Sequence, residues 1–341
     1  MNVEKILKMN LGADSYDIIV GNDLLDSINE YMNLNRKVLV VTDSGVPEEY
    51  SEKVSKKCKE AIKVTIPMGE ESKCFEKYEE LLGVMLKNGF TRKDAVVAVG
   101  GGVVGDLSGF VAASYMRGVD FYNVPTTVLS SVDSSIGGKT AIDILGVKNI
   151  VGAFHQPKAV LIDLDTLKTL DERQFSNGLA ESVKMGLTSD KKLFEIFKED
   201  NYKEKILEII IRSLEVKKNV VEQDEKETGL RKVLNFGHTL GHGVESFDEN
   251  LYHGECVALG MLPMCSESVR EELLEVLKRL SLFNKVNLDE AKVMDAIMHD
   301  KKAESAYITT VVVNEPGSFE FEKMDENELK ERLHILSLIL K

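Results

Sequence analysis

Residues 95–106 read AVVAVGGGVVGD, a short β-branched run that enters a glycine cluster. The run from Ala95 to Val99 is typical of a buried parallel strand, and the segment from Leu107 to Tyr115 after the glycines is helix-like. A strand that passes through glycines into a helix is the repeating unit of a parallel sheet covered by helices on both faces. This stretch therefore predicts an α/β fold.

Strand-like and helix-like segments alternate on both sides of this unit. Each strand-like segment is a short run rich in β-branched residues, and the helical segments between them are polar or amphipathic. We predict a Rossmann-like, mostly parallel sheet in the first half of the chain. The predicted strands are 37–43, 62–66, 95–99, 121–124 and 159–162, and the predicted helices include 47–61 and 74–88.

The second half of the chain has a different pattern. After about residue 166, apolar residues recur at the spacing of amphipathic helices. Strand-like residues are confined to 307–313 and 319–321, around the Pro316-Gly317 turn, which predicts a hairpin. We expect an α/β domain over 1–165 and a mainly α-helical domain over 166–341. The helical segments are 194–221, 233–247, 256–280 and 288–298.

The composition limits the classes of partner. With 43 Lys and Arg against 57 Asp and Glu, the formal net charge is −14, so a nucleic-acid surface is not expected. No apolar run approaches the roughly 18 residues that a membrane-spanning helix needs. The first residues carry charges without an apolar core, and the cysteines form no CxxC pair. We expect a cytoplasmic protein with reduced thiols at Cys58, Cys74, Cys256 and Cys265.

The glycine cluster follows the pattern GxGxxG from Gly100 to Gly105, after a strand and before a helix. Glycines there allow backbone N–H groups at a helix N-terminus to approach the pyrophosphate of a dinucleotide. The acidic residue that normally ends the next strand is missing, since that strand ends in Val124-Pro-Thr-Thr. We predict a dinucleotide phosphate site outside the standard Rossmann layout, with a tight helix-packing turn as the alternative.

Three of the six histidines lie close together in the second half. His238 and His242 are four residues apart, hence on one face of a helix, and His253 follows after a turn. This spacing is typical of a metal site with an open coordination position, although packed or surface histidines give the same pattern. Glu181 and Lys184, at i and i+3, are expected from spacing alone to form an ordinary exposed ion pair.

Several basic residues stand beside glycines or small residues, an arrangement typical of phosphate capture. The stretch from Gly137 to Thr140 is not a P-loop, because Asp133 occupies the place of its first glycine. ATP binding of that type is therefore not expected. The basic residues in question are Arg117, Lys139, Lys148 and Arg231.

Six stretches, in the correct order and spread over more than half of the chain, resemble the 3-dehydroquinate synthases of the sugar-phosphate cyclase superfamily. Together they are specific, whereas each alone is a weaker signal. The division into an α/β and a helical domain is also that of the family. The stretches are GGGVVGDLSGFVAASYMRG from Gly100, VPTTVLSSVDSSIGGKTAID from Val124, KNIVGAFHQP from Lys148, GLAESVKMG from Gly178, GLRKVLNFGHTLGHGVE from Gly229 and HGECVALGM from His253.

The resemblance implies an NAD-dependent enzyme that also needs a divalent metal, Zn²⁺ or Co²⁺. Its substrate would be 3-deoxy-D-arabino-heptulosonate 7-phosphate, which it would convert to 3-dehydroquinate and phosphate in the shikimate pathway to aromatic amino acids. In this reaction a ring hydroxyl is oxidised transiently, phosphate leaves by β-elimination and the hydride returns. Ring opening and an intramolecular aldol step then close the carbocycle.

The resemblance also assigns roles to residues of this chain. It makes Glu181, His238 and His253 the metal ligands, and it moves His242 from the metal to the substrate phosphate. Arg117 would reach the site of a neighbouring subunit, so a homodimer is implied. The implied substrate contacts are Asp133, Lys139, Asn149, Lys184, Lys217, Arg231, Asn235, His242 and either Lys301 or Lys302. The implied NAD contacts are Asp43, Glu70, Lys73, Gly101, Gly102, Val103, Asp106, Thr126, Thr127, Lys139, Lys148, Thr166 and Thr169.

Two departures from the family pattern lie in one loop. The chain has Leu-Gly-Val-Lys-Asn at 145–149 where the family often has Pro-Leu-Gly-Lys-Asn, and Asp143 stands where Asn is common. The shifted glycine puts the local backbone geometry in question, and no effect is assigned to Asp143.

Three alternative functions remain open at this stage. They are a related cyclase with another phosphorylated ketose, a metal-dependent alcohol or polyol dehydrogenase, and a non-catalytic nucleotide-binding protein. The number of basic residues argues against the dehydrogenase, which needs few phosphate-binding cations. The complete set Glu181, His238 and His253 argues against the non-catalytic protein.

Overall fold

The computed structural model describes residues 2–248, 250–301 and 307–341, apart from the side chains of 299–301. The chain separates into two compact units, Met1–Asp171 and Glu172–Lys341. The turn Leu164–Thr169 belongs to the first unit, where the Tyr50 hydroxyl lies 3.1 Å from Thr169 Oγ1. The functional division expected at 165–166 stays a prediction.

The first unit is built on a seven-stranded sheet with the order β1-β2-β9-β6-β5-β3-β4. Only β1 and β2 pair antiparallel; the remaining pairs are parallel. A separate antiparallel hairpin is formed by β7 and β8. The strands are β1 Asn2–Met9, β2 Tyr16–Asn22, β3 Lys37–Asp43, β4 Glu60–Ile66, β5 Ala95–Gly100, β6 Asp120–Pro125, β7 Lys139–Ile144, β8 Val147–Phe154 and β9 Ala159–Asp163. The helices are α1 Glu48–Lys57, α2 Phe75–Lys87 and α3 Gly102–Ser114.

All five strands expected from the sequence form, and the mostly parallel α/β fold is confirmed. The reason is visible in β5, whose residues are all buried. Val97 and Val99 face one hydrophobic core of the sheet, and Val96 and Ala98 face the other. A strand buried on both faces reads as a continuous apolar run, which is the signal used for the prediction.

Four strands of the first unit were not predicted from the sequence. In β1 exposed residues alternate with half-buried or buried ones, and every residue of β8 is exposed or half-buried. Both belong to antiparallel pairs, in which one face or edge meets solvent. Their partners are β2 and β7, and β2 contains the buried apolar run Ile18-Ile19-Val20, which the sequence interpretation overlooked. The sequence interpretation therefore missed the hairpin that carries Lys139 and Lys148.

The second unit is mainly helical, as expected, and it contains the predicted hairpin. Its helices are α4 Glu172–Ser189, α5 Lys191–Ile196, α6 Ile206–Gln223, α7 His238–Phe247, α8 His253–Met261, α9 Glu267–Arg279, α10 Glu290–Lys301 and α11 Glu326–Ile339. The strands β10 Ile308–Val312 and β11 Glu320–Met324 pair antiparallel. None of the described helices combines the length and apolarity needed to cross a bilayer.

Two of the expected long helices are broken, and a third, 233–247, forms an α-helix only from His238 because the 3-10 turn Leu230–Asn235 precedes it. The segment 256–280 divides at a short turn that contains Pro263, which cannot donate the next backbone hydrogen bond of a helix. The segment 194–221 divides between α5 and α6, at the 3-10 turn Tyr202–Lys205. Apolar periodicity continues across both breaks, so it did not reveal them.

Glycines let α8 pack closely against two other helices. A Cβ on Gly260 would lie 2.1 Å from the Gly237 carbonyl at the start of α7, and a Cβ on Gly254 would lie 2.0 Å from the Asn177 carbonyl of α4. Real Cβ atoms do not approach so closely, so only glycine fits at these positions. Three helices that carry candidate ligands are thereby brought together.

Candidate functional site

A buried carboxylate with two imidazoles forms the centre of the second unit. Glu181 lies in the middle of α4, and His238 and His253 are the first residues of α7 and α8. The Nε2 atoms of both histidines lie 3.6 Å from Glu181 Oε1. The three potential ligand atoms all lie within 4.8 Å of one another. The structure thus brings together the three residues that the resemblance names as metal ligands.

This group fits a divalent metal. Two ligands about 2.1 Å from a tetrahedral zinc ion are about 3.4 Å apart, close to the observed 3.6 Å separations. Both carboxylate oxygens of Glu181 are buried, and neither accepts a hydrogen bond of standard geometry within the described part of the chain. One carboxylate and two imidazoles suit Zn²⁺ or Co²⁺. A metal would satisfy oxygens that are otherwise costly to bury.

The electrostatics favour an ionised carboxylate and a neutral ligand at His238. Burial opposes ionisation of Glu181, but the Lys184 charge and the two imidazoles hold its pKa well below the usual value. Burial and the Lys184 charge hold the pKa of His238 well below its usual value. Burial also lowers the pKa of His253, but the Glu181 and Glu245 carboxylates outweigh it and raise the pKa to about 9.

Two expectations drawn from spacing alone need correction. The Glu181–Lys184 pair is not exposed: the two side chains are 0% and 1% exposed, and Lys184 Nζ contacts Glu181 Oε2. The reason is that α4 is packed on nearly all sides over 176–188. The three histidines do not form a group by themselves, because His242 is exposed one helical turn beyond His238 and groups with Glu245 and His253 instead.

Further cations of the second unit are buried. Lys217 on α6 is 5% exposed, and Arg231 in the turn Leu230–Asn235 is 2% exposed. Arg231 donates a hydrogen bond to the Glu225 carbonyl. Asn235, at the end of the same turn, is exposed and donates to Glu227. Buried guanidinium and ammonium groups are suited to binding a phosphate or a carboxylate.

Asp224 fixes the backbone beside Arg231, and the sequence interpretation missed it. Its carboxylate accepts hydrogen bonds from the backbone N–H groups of Thr228, Gly229 and Arg231. These bonds, the one from Arg231 foremost, lower the pKa of Asp224 to about 2. An aspartate shortly before a Thr-Gly pair is a turn signal that could have indicated this role.

In the first unit the expected dinucleotide contacts follow the carboxyl ends of parallel strands. The carboxyl ends of β3, β5, β6 and β9 share one edge of the sheet, the usual position of ligands in this class of fold. After β5, Gly101 caps α3, whose first residue is Gly102. Asp43 ends β3, Gly101, Gly102, Val103 and Asp106 follow β5, Thr126 and Thr127 follow β6, and Thr166 and Thr169 follow β9.

The glycine loop leaves little room for side chains. A Cβ on Gly101 would lie 3.2 Å from Thr127 Cγ2, and a Cβ on Gly102 would lie 3.3 Å from Ser134 Oγ. The N-terminus of α3 therefore presents bare N–H groups beside Thr127. This arrangement fits the pyrophosphate of a dinucleotide.

A cluster of charges surrounds Lys73, which is 4% exposed. Its Nζ lies 2.6 Å from Glu70 Oε1, 3.5 Å from Asp106 Oδ2 and 3.8 Å from Asp143 Oδ1. It also donates a hydrogen bond of 2.8 Å to Asn149 Oδ1. Burial lowers the pKa of Lys73, but the carboxylates outweigh it and raise it, whereas burial raises the pKa of Asp106 to about 7.

The structure shows how the β7–β8 hairpin accommodates both departures from the family pattern, the shifted glycine and Asp143. Leu145 and Gly146 connect β7 to β8 with φ values of 53° and 79°, as a two-residue turn of the hairpin type requires. Asp143 Oδ1 accepts a 2.7 Å hydrogen bond from the N–H of Asn149, whose own φ is 56°. Asp143 therefore holds Asn149 in a left-handed conformation that few non-glycine residues adopt.

The remaining expected contacts are dispersed over the surface of the first unit. Lys139 and Lys148 are exposed on the hairpin, and Asp133 is half-buried in the turn Ser130–Ser134. Arg117 is exposed at the end of the turn Tyr115–Arg117, with φ of 68°. Lys302 and the side chain of Lys301 lie outside the described residues.

Comparisons with known proteins identify the family. Residues 63–177 match the N-terminal domain of 3-dehydroquinate synthase, and residues 178–303 match its C-terminal domain. The chain belongs to the 3-dehydroquinate synthase family. It is 39% identical to the 3-dehydroquinate synthase of Clostridium acetobutylicum, over 97% of this chain and 100% of the relative. Identity to the enzyme of Pelobacter propionicus is 40%, over 89% of this chain and 91% of the relative.

Solved structures of two synthases have the same fold as this member of the 3-dehydroquinate synthase family. A 2-epi-5-epi-valiolone synthase from Streptomyces hygroscopicus, with NAD⁺ and Zn²⁺ bound, has a TM-score of 0.86 and 25% identity over 99% of this chain and 100% of its own. A 2-deoxy-scyllo-inosose synthase, complexed with carbaglucose-6-phosphate, NAD⁺ and Co²⁺, has a TM-score of 0.85 and 23% identity over 96% and 98%. A probable glycerol dehydrogenase from Sinorhizobium meliloti has a TM-score of 0.62 at 16% identity over 95% and 96%, a likeness of fold alone.

Proposed function

We propose that this chain converts 3-deoxy-D-arabino-heptulosonate 7-phosphate to 3-dehydroquinate and phosphate, as a carbon–oxygen lyase of the shikimate pathway. The observation that carries the proposal is the buried group of Glu181, His238 and His253 with Lys184 in contact with the carboxylate. It occurs in a chain that relatives named 3-dehydroquinate synthase match over nearly its whole length. A metal site beside a buried cation suits a substrate that carries both hydroxyl groups and a phosphate.

The second unit would hold the metal and part of the substrate. Glu181, His238 and His253 would be the protein ligands, which leaves coordination positions for substrate oxygens. A bound Zn²⁺ or Co²⁺ supplies a Lewis acid that orients and polarises a substrate hydroxyl. Lys184 is placed to stabilise negative charge that develops beside this group.

The first unit would hold NAD⁺. The N–H groups at the start of α3 would bind the pyrophosphate, and Thr126 and Thr127 would lie beside it. When bound, NAD⁺ would supply a hydride acceptor, and its reduced form, NADH, would supply the hydride that returns to the substrate. Support comes from the glycine-lined start of α3 and from the NAD⁺ in the valiolone synthase structure.

The substrate's phosphate and carboxylate would be bound by cations. The net charge of the chain is −14, so a dianionic phosphate is attracted only where cations are concentrated. Lys184 and Arg231 would stabilise the phosphate as it leaves, because charge-assisted hydrogen bonds strengthen as negative charge grows. The further proposed substrate contacts are Asp133, Lys139, Asn149, Lys217, Asn235 and His242.

A coupled assay tests this function. The purified chain is given the heptulosonate phosphate and a catalytic amount of NAD⁺, and phosphate release and 3-dehydroquinate are followed together. We expect equal amounts of both products without net NADH, loss of activity after chelation, and recovery with Zn²⁺ or Co²⁺. Accumulation of NADH with a simple alcohol or polyol, and no dehydroquinate, would instead identify a dehydrogenase.

We also propose that the enzyme is a homodimer that works in the cytoplasm. Arg117 is exposed on a left-handed turn, a position from which it could reach a neighbouring subunit. An inactive Arg117→Ala variant mixed with an inactive Glu181→Ala variant should regain activity if subunits share sites, and self-contained sites would give no rescue.

The cytoplasmic location is tested by cell fractionation followed by the same assay. We expect the activity in the cytoplasmic fraction, where NAD⁺ would be available.

A further inference from the structure

We propose that Glu245 is a positioning residue that holds the ring of His253 in the orientation and tautomer that bind metal through Nε2. This role presupposes the proposed metal site, in which His253 is a ligand. Neither the motif assignments nor the comparisons give Glu245 a function. Four observations in the second unit support the role.

The first observation is the contact itself. Glu245 Oε2 lies 3.1 Å from His253 Nδ1, while His253 Nε2, on the other side of the ring, lies 3.6 Å from Glu181 Oε1. An ionised carboxylate can only accept a hydrogen bond, so Nδ1 must carry the hydrogen. The Nε2 lone pair is then the one available to a metal, and the carboxylate makes it a stronger donor.

The second observation is that the other imidazole has an equivalent partner. His238 Nδ1 lies 3.1 Å from the Phe236 carbonyl oxygen, which also can only accept. Both rings are therefore held with Nδ1 protonated and Nε2 directed at Glu181. The partner of His253 is the charged side chain of Glu245, which a substitution can remove. The partner of His238 is a backbone carbonyl, which a substitution leaves in place.

The third observation is the position of Glu245 on α7. It follows His238 by seven residues, two helical turns, and so lies on the same face of the helix. One helix thereby supplies a ligand directly and orients a second ligand on α8. The Glu245 side chain is 16% exposed and that of His253 is 33% exposed, so the bond between them is partly shielded from water.

The fourth observation is that other contacts fix the backbone of α8. Arg173 of α4 pairs with Glu255 at 2.8 Å, and the Asn177 side chain accepts a 2.6 Å hydrogen bond from the Gly254 N–H. The Tyr252–Glu255 capping box also stabilises this helix start. Loss of Glu245 should therefore free the ring of His253 without displacing the helix.

An alternative is that Glu245 is itself a ligand, in the overlapping group of His242, Glu245 and His253. A metal bound to that group would use Nδ1 of His253. The buried Glu181 carboxylate would then have no metal beside it. The two arrangements differ in what His242 does. Only in the alternative would removal of the exposed His242 ring lower metal affinity.

The test measures metal affinity rather than activity. Zn²⁺ and Co²⁺ dissociation constants of the metal-free full chain are determined by competition with a chromophoric chelator, together with the urea unfolding midpoint. We expect Glu245→Ala to weaken binding about 10- to 100-fold, as loss of such partners commonly does, with only a small decrease in the midpoint. Glu245→Gln keeps an accepting oxygen and should lose less. Glu275→Ala, at an exposed position of α9, is the matched control and should match the wild type.

Each remaining outcome has a distinct meaning. Unchanged affinity in Glu245→Ala would overturn the positioning role. A loss as complete as in Glu181→Ala, with a parallel loss in His242→Ala, would make Glu245 a ligand and also overturn it. If Glu245→Ala does not fold, Glu245→Gln and the ¹⁵N signals of His253 decide, since the Nδ1 proton should remain in the zinc-loaded variant. A wild type that binds neither metal would contradict the proposed function instead.

Discussion

In each unit of the molecule a buried lysine contacts carboxylates, and the surroundings of the two lysines, Lys73 and Lys184, differ in charge. Lys73 lies within 4 Å of Glu70, Asp106 and Asp143, whereas the carboxylate that Lys184 reaches in the described part of the chain is Glu181. The first cluster has more anions than cations. In the second, two imidazoles lie 3.6 Å from the carboxylate that the lysine contacts.

The difference appears in the titration of the carboxylates. Burial raises the pKa of Asp106 to about 7 although Lys73 is close, because Glu70 and Asp143 repel its charge as well. Burial also acts on Glu181, yet the Lys184 charge and the imidazoles keep its pKa well below the usual value. The comparison teaches that the ratio of cations to anions decides which buried carboxylate stays ionised and able to hold a metal.

The largest effect is expected where the second unit loses a ligand. His253→Ala should lower turnover at least about 10³-fold and reduce bound metal, because one of three protein ligands is removed. The coupled assay and metal analysis of the purified protein measure both. Full activity with a normal metal content would show that His253 is not a ligand.

A large effect on stability is expected where the first unit loses its cation. Lys73→Met should lower the free energy of unfolding by about 1.5–3 kcal/mol at neutral pH, because the carboxylates around it lose their countercharge and the hydrogen bonds that it donates. Urea unfolding measures the change. Lys77→Met removes a more exposed lysine of α2 that pairs with Glu80 and serves as the control. Equal stability of the two variants would contradict the proposed importance of the cluster.

A smaller effect is expected when the second unit loses its lysine. Lys184→Ala should lower kcat/KM roughly 10- to 100-fold, equivalent to about 1.5–3 kcal/mol for a charge-assisted contact, with the loaded protein still folded. Bound metal should change less, since the three ligands remain. Steady-state kinetics on metal-loaded protein measure the effect, with Lys218→Ala on α6 as the control. Unchanged kinetics would show that Lys184 does not act on the substrate.

The smallest effect is a pH dependence of stability in the first unit. The pKa of Asp106 is about 7 in the folded chain and near 3.8 when unfolded, so between these values the folded state holds an extra proton. Its contribution to the free energy of unfolding is present below pH ~4 and is lost as the pH rises to about 7. Asp106→Asn should therefore remove part of the decline between about pH 4 and 7 in urea titrations. Identical slopes for variant and wild type would contradict this.

Part of the candidate site could be predicted from sequence because its residues are recognised by their immediate neighbours along the chain. The glycine loop follows β5 directly, and His238 and His253 each begin a helix close to a glycine. Long-range properties could not be predicted in this way. The spacing of Glu181 and Lys184 indicates a common helix face but not that α4 is enclosed, and the bond from Asp143 to Asn149 depends on a hairpin without a strand signal.

The sequence by itself determined the parallel sheet and the helical second half, because buried strands and amphipathic helices repeat with different periods. It also determined the family, through six motifs in order. Only the tertiary structure decided which side chains are buried together. Glu181, Lys184 and Glu245 gain their significance from packing among α4, α7 and α8, since burial removes water and makes each missing or extra charge energetically decisive.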